Sequence, residues 1–148
     1  MKISVFLSYP KPHTKDQGRF IERLCEILNS RGLLPRTLGV TDYHVEAPLA
    51  AIRGLMMECN GIIGVGLRRT RVDTGVVRPE TNLPGMEETA ISKVWLTSPW
   101  CHIEPAMAFQ LGLPSLLFRE AGVVDDGVFD RGVLGQYMPT FDIAADLD

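Results

Sequence analysis

The 148-residue chain has only three cysteines, Cys25, Cys59 and Cys101, an odd number set far apart with no Cys-x-x-Cys pair. That pattern excludes a disulfide framework and a cysteine zinc site as the basis of the fold, and no metal is expected. Long hydrophobic runs are also missing. None approaches the roughly 20 residues that span a bilayer, and the N-terminus lacks the basic, apolar and small-residue succession of a signal peptide. Charge of one sign is scarce as well. The net charge is -3, and Arg68, Arg69, Arg71 and Arg78 gather in one segment instead of marking every element, so nucleic acid is not an expected partner. These absences predict a cytoplasmic protein with no membrane partner.

What is present is a large apolar fraction, 45% of residues. This suffices for one sizeable core in a chain too short for two ordinary domains, so residues 1–148 are read as a single domain. Met1 to Tyr9 is a β-branched and aromatic run that stops at Pro10 and Pro12, as a buried first strand does. Thr14 is placed to N-cap a helix whose Phe20, Ile21, Leu24, Ile27 and Leu28 recur at helical spacing up to Gly32. An extended segment, Leu33 to Leu38, follows. Residues 39–46 are polar with turn formers, and Ala47 to Cys59 reads as a second helix. Gly61 to Leu67 is apolar without alternation, the pattern of a strand buried on both faces of a parallel sheet. Gly61, Gly64 and Gly66 lie inside that run instead of forming Gly-x-Gly-x-x-Gly after it, so close helix packing accounts for them better than a dinucleotide site.

From Arg68 to Leu96 periodicity disappears, and Gly75, Pro79, Pro84 and Gly85 punctuate an excursion of functional-loop length. Trp100 to Leu111 reads as a helix capped by Gly112, Pro114 to Phe118 as a fourth strand, and Gln136 to Phe141 as a last one. Ile143 to Asp148 resembles the first turns of a closing helix cut short, so the domain is expected to be truncated there or to continue in a longer protein. Strands alternating with helices predict an α/β fold, a parallel sheet of four to five strands with helices on both faces. Ligands bind such sheets at the carboxyl ends of the strands, a rule that gathers Ser8, Tyr9, residues 39–46, Arg68 and the start of the Trp100 helix around one crevice.

The segment Thr97 to Glu104 carries the chemistry. Ser98 and Pro99 form a strong helix start, which sets Trp100 and Glu104 on one face. Pro105 disfavours helical geometry at Glu104 and removes a backbone donor, so either a kink or a helix restarting with Glu104 as N-cap is expected. In the second case the helix dipole would keep the carboxylate ionised. An ionised carboxylate beside an aromatic plate suits cleavage of an N-glycosidic bond, because an anion stabilises or attacks the oxocarbenium-like carbon one of ribose. No general acid is needed when the leaving group is already cationic, as nicotinamide is in NAD. On spacing alone, a core aromatic beside a solvated or capping carboxylate is the commoner arrangement. Other candidates are Ser8 and Tyr9 at the end of the first strand, Asp42 and Tyr43 in the polar loop, and Arg68, whose guanidinium suits a pyrophosphate. His102 faces away from Glu104 on a regular helix, and Cys101 reads as a small buried residue.

Two segments resemble the Toll/interleukin-1 receptor (TIR) domain family: Val5 to Tyr9 looks like its first-strand box, and Ser98 to Glu104 looks like its Ser-x-Trp-Cys-x-x-Glu box. The resemblance extends over nearly the whole chain in order and spacing of elements. It implies a flavodoxin-like TIR fold, Glu104 as the essential glutamate, and Trp100 as the tryptophan before it. It further implies NAD as substrate and not cofactor, cleaved to nicotinamide plus ADP-ribose or a cyclic isomer, in antiviral signalling. Self-association into an oligomer or filament, and a downstream effector, are implied with it, as is the alternative of a non-enzymatic interaction module. Two features depart from the family: the segment 68–96 is longer and more basic, and Pro105 follows the glutamate. Glu104 to Pro114 is also similar to nucleoside 2-deoxyribosyltransferases, which implies N-ribosyl transfer at the same glutamate.

Overall fold

The structure, a computed structural model, describes residues 1–130, 133, 134 and 138–146. β1 (Ile3–Ser8) leads to α1 (Lys15–Ser30), β2 (Leu33–Arg36), α2 (Pro48–Met57) and β3 (Ile62–Gly66). An antiparallel hairpin follows, β4 (Thr70–Val77) and β5 (Thr89–Leu96). Then come α3 (Trp100–Gln110), β6 (Ser115–Glu120), a 3-10 turn at Gly127–Phe129, β7 (Thr140–Phe141) and α4 (Ile143–Asp146). The main sheet has five strands in the order β2-β1-β3-β6-β7, every neighbouring pair parallel. This is the flavodoxin-like order, whose direction of winding reverses between β1 and β3.

Local chemistry explains the elements. Thr14 accepts the Gln17 N–H at 3.1 Å and starts α1, and Gly32 (φ 77°) ends it in the left-handed conformation that glycine adopts freely. Along β1 the side chains alternate between two cores. Val5 and Leu7 pack with Ile21 and Leu28 of α1 and Ile143 of α4. Phe6 packs on the opposite face with Ile52, Leu55 and Met56 of α2 and Ala108 of α3. Every residue of β3 is buried, as its unbroken apolar run predicts. Burial of side chains such as Phe6, Leu55 and Met56 contributes about 1.5–3 kcal/mol each. None of the helices among the described residues is long and apolar enough to cross a membrane.

Three expectations are corrected. The segment 68–96 is not an irregular excursion but the β4/β5 hairpin, whose strands are exposed on both faces and so lack the hydrophobic contrast that marks a strand. Pro105 does not restart α3: the helix runs through it, so Glu104 is not an N-cap, the second of the two expected arrangements. The proline ring is fully buried and lies over Gly64 of β3, where packing holds the geometry that its own backbone disfavours. The last strand is shorter than Gln136 to Phe141, with β7 limited to Thr140–Phe141; residues 136 and 137, and residues 147 and 148 of the closing helix, lie outside the described residues.

Candidate active site

Even-numbered residues of β1 face α3, so Ser8, two residues past Phe6, ends the strand under that helix. Its register partner on β3 is Gly64. A Cβ at Gly64 would stand 2.6 Å from Leu117 Cδ2 and 3.5 Å from Pro105 Cγ, so glycine is what lets α3 lie close to the sheet here. That approach brings Glu104 onto Ser8. The Ser8 hydroxyl, 1% exposed, donates to Glu104 Oε1 at 2.8 Å.

Glu104 opens onto a cavity of about 270 Å³ at the carboxyl end of β1, shared with Tyr9, Lys11, Thr37, Ser98 and Trp100. Burial pushes its carboxyl pKa up to about 7, against the Ser8 hydrogen bond, which pulls it down. The expected dipole effect is overridden because Glu104 sits in the second turn of α3, beyond the first turn where the dipole acts. The Tyr9 hydroxyl is also raised, by burial and by the neighbouring Cys25, and lowered in part by a hydrogen bond with Thr37. Trp100 is 42% exposed and forms the rim; its N–H reaches Ser98 Oγ at 3.3 Å, which fixes the first turn of the helix.

Ser8, Tyr9, Trp100 and Glu104 therefore meet in one cavity. The other three candidates do not line it. Asp42 is held by Arg36 at 2.6 Å and accepts from Thr41, and these partners draw its carboxyl below the usual carboxylate range. Tyr43 stands 76% exposed in the loop beyond it. Arg68 turns to the α1 side of the sheet, over Trp95 at 5.5 Å, with its backbone N–H on the buried Glu120 carboxylate at 2.8 Å. It lines a separate cavity with Gln17 and Glu120. Cys101 is buried and its thiol is pushed up to about 12 by desolvation. His102 lies on the far side of α3, edge-on to Phe129. Gly66 makes room for that same phenylalanine, since a Cβ there would meet its ring at 2.7 Å.

Lys11 and Thr37 are lining residues that the pattern of the sequence did not single out. Lys11 sits between two prolines three residues past the β1 terminus, which is the available signal; Thr37 has none beyond following β2. Chemically, a carboxyl group poised near neutrality in a cleft of mixed polar and apolar lining can act as a nucleophile or as an acid-base group. Among the described residues no cluster of His, Cys, Asp and Glu is arranged to hold a metal ion.

No family model matches the chain, and no curated protein matches it. Among solved structures it is similar to the Clostridium botulinum CMP N-glycosidase BcmB, with a TM-score of 0.54 and 16% identity over 94% of this chain and 88% of that one. At that identity the likeness establishes a shared α/β fold.

Proposed function

We propose that the chain is an N-glycosidase that cleaves the bond between base and ribose in a nucleoside monophosphate, with Glu104 as the nucleophile. The observation that carries this reading is the buried Glu104 carboxyl, held by Ser8 and tuned to about 7, at the floor of a cavity of about 270 Å³. That volume lies just below the usual range of small-molecule sites and suits one nucleotide better than two. The similarity to a CMP N-glycosidase, spread over most of both chains, supports the same chemistry, as does the resemblance of Glu104 to Pro114 to nucleoside 2-deoxyribosyltransferases.

In this mechanism Ser8 occupies Oε1 and leaves Oε2 free. Oε2 attacks carbon one of the ribose as the bond to the base nitrogen breaks, and the base departs with the electron pair and takes a proton from water. Water, giving up a proton to the hydroxide left by that transfer, then attacks carbon one of the glycosyl ester, releasing ribose phosphate and restoring the carboxylate. Trp100 covers the base or sugar at the rim. Lys11, the one cationic side chain among the described lining residues, attracts the phosphate.

A second reading is cleavage of NAD at the nicotinamide-ribose bond, with NAD depletion or a cyclic ADP-ribose signal as the outcome. It is favoured by Glu104 being the one carboxyl group among the described lining residues, because a cationic leaving group needs no second acid. Incubation with CMP, other nucleoside monophosphates, free nucleosides and NAD, followed by chromatography of the released bases, tests both. Base release from monophosphates ahead of NAD supports the first reading, nicotinamide release ahead of the others supports the second, and release from none overturns the assignment.

A further inference from the structure

The β4/β5 hairpin takes no part in that site and packs extensively against no other described element. None of the residues of its two strands is fully buried. An isolated two-stranded ribbon is marginal in water. This one also has an open edge. Trp95, the register partner of Arg71, turns its backbone away from β4, its N–H donating to the Gly122 carbonyl at 2.9 Å and its carbonyl accepting from the Val124 N–H at 2.9 Å. By alternation the N–H groups of Arg71, Asp73, Gly75 and Val77 therefore point away from β5. Among the described residues β4 pairs with β5 alone. An eight-residue edge without proline is a template for another strand.

Two further features favour a second copy of the same chain as the occupant. The face built from the cross-strand pairs Thr70/Leu96, Val72/Val94, Thr74/Ser92 and Val76/Ala90 carries no charge. It would continue unbroken across four strands if two arms joined along β4. The arm is also electrically polar along its length. At the root Arg69, Arg71 and Lys93 outnumber the acid Asp73, while at the tip Glu80, Glu87 and Glu88 outnumber Arg78. One copy laid antiparallel on another sets each positive root beside a negative tip, and a two-fold axis makes both contacts at once.

We propose that the β4/β5 arm is a self-association surface, pairing β4 to β4 antiparallel across a two-fold axis. An arm of eight-residue strands, about 26 Å long, is smaller than the roughly 800 Å² per partner of a standard interface. Association is therefore expected to be weak, and its charges decide the partner.

Charge exchange tests this by sedimentation or light scattering at about 100 µM chain. The wild type is expected at twice the 16.4 kDa of one chain. The tip variant Glu80→Lys/Glu87→Lys has two positive ends and the root variant Arg69→Glu/Arg71→Glu two negative ends, so each alone is expected at the mass of one chain. Their equimolar mixture is expected to regain twice that mass, which also shows that both are folded. A single-chain mass for the wild type, a doubled mass for either variant alone, or a single-chain mass for the mixture overturns the proposal.

Discussion

Ser8 and Glu104, 96 positions apart, are joined by a hydrogen bond of 2.8 Å between the end of β1 and the second turn of α3. The bond stabilises the charged carboxylate against burial. Ser8→Ala is therefore expected to raise the Glu104 pKa further and to lower kcat about tenfold, the loss of one hydrogen bond to a charged group, with KM little changed. The pH-rate profile is the check: activity of the wild type rises through about pH 7, and the rise of the variant lies at higher pH. An unshifted midpoint would contradict a positioning role for Ser8.

The same burial has a cost in stability. The Glu104 pKa is about 7 in the folded chain against 4.5 ordinarily, so folding is unpenalised below pH 4.5 and progressively penalised as pH rises through 7. Glu104→Gln removes the charge. It is expected to raise stability at pH 8 by about 3 kcal/mol and to leave it unchanged at pH 4, as read by urea unfolding at the two values.

Trp100 is at the rim and contributes to binding more than to folding. Trp100→Ala is expected to raise KM about tenfold, the scale of one aromatic contact, and to leave Tm nearly unchanged. Trp100→Phe should recover most of the loss. Steady-state kinetics with each variant separates the two effects.

Gly64 keeps α3 close to the sheet. Gly64→Ala drives a Cβ to 2.6 Å from Leu117 Cδ2, and overpacking of this kind costs about 1–3 kcal/mol. Thermal unfolding should show the loss, and activity should fall with it because the Ser8 to Glu104 contact depends on that approach.

Much of the fold is legible in the sequence. The apolar run 61–67 announces a strand buried on both faces, and the capping residues Thr14, Gly32 and Gly112 mark helix ends that the structure repeats. The hairpin is not legible because Val72, Val76 and Val94 are at most half-buried and stand among Arg71, Asp73, Thr74 and Lys93, so no sustained apolar and polar alternation marks its strands. At the site, Trp100 and Glu104 follow from helical spacing, and the carboxyl-end rule points to Ser8 and Tyr9. Asp42 and Arg68 obey the same rule yet are claimed by Arg36 and Glu120, partners that only the tertiary structure identifies. The behaviour of Pro105 was likewise hidden, since backbone preference alone does not include a glycine waiting beneath the ring.

That Glu104 breaks an N-glycosidic bond is tested most directly by base release from whichever nucleotide of the panel is the better substrate, with wild type and Glu104→Ala compared. A fall of at least about a thousandfold is expected in the variant, the scale of losing a nucleophile, with an unfolding transition at pH 6 no lower than that of the wild type. Equal release by the two proteins would contradict it.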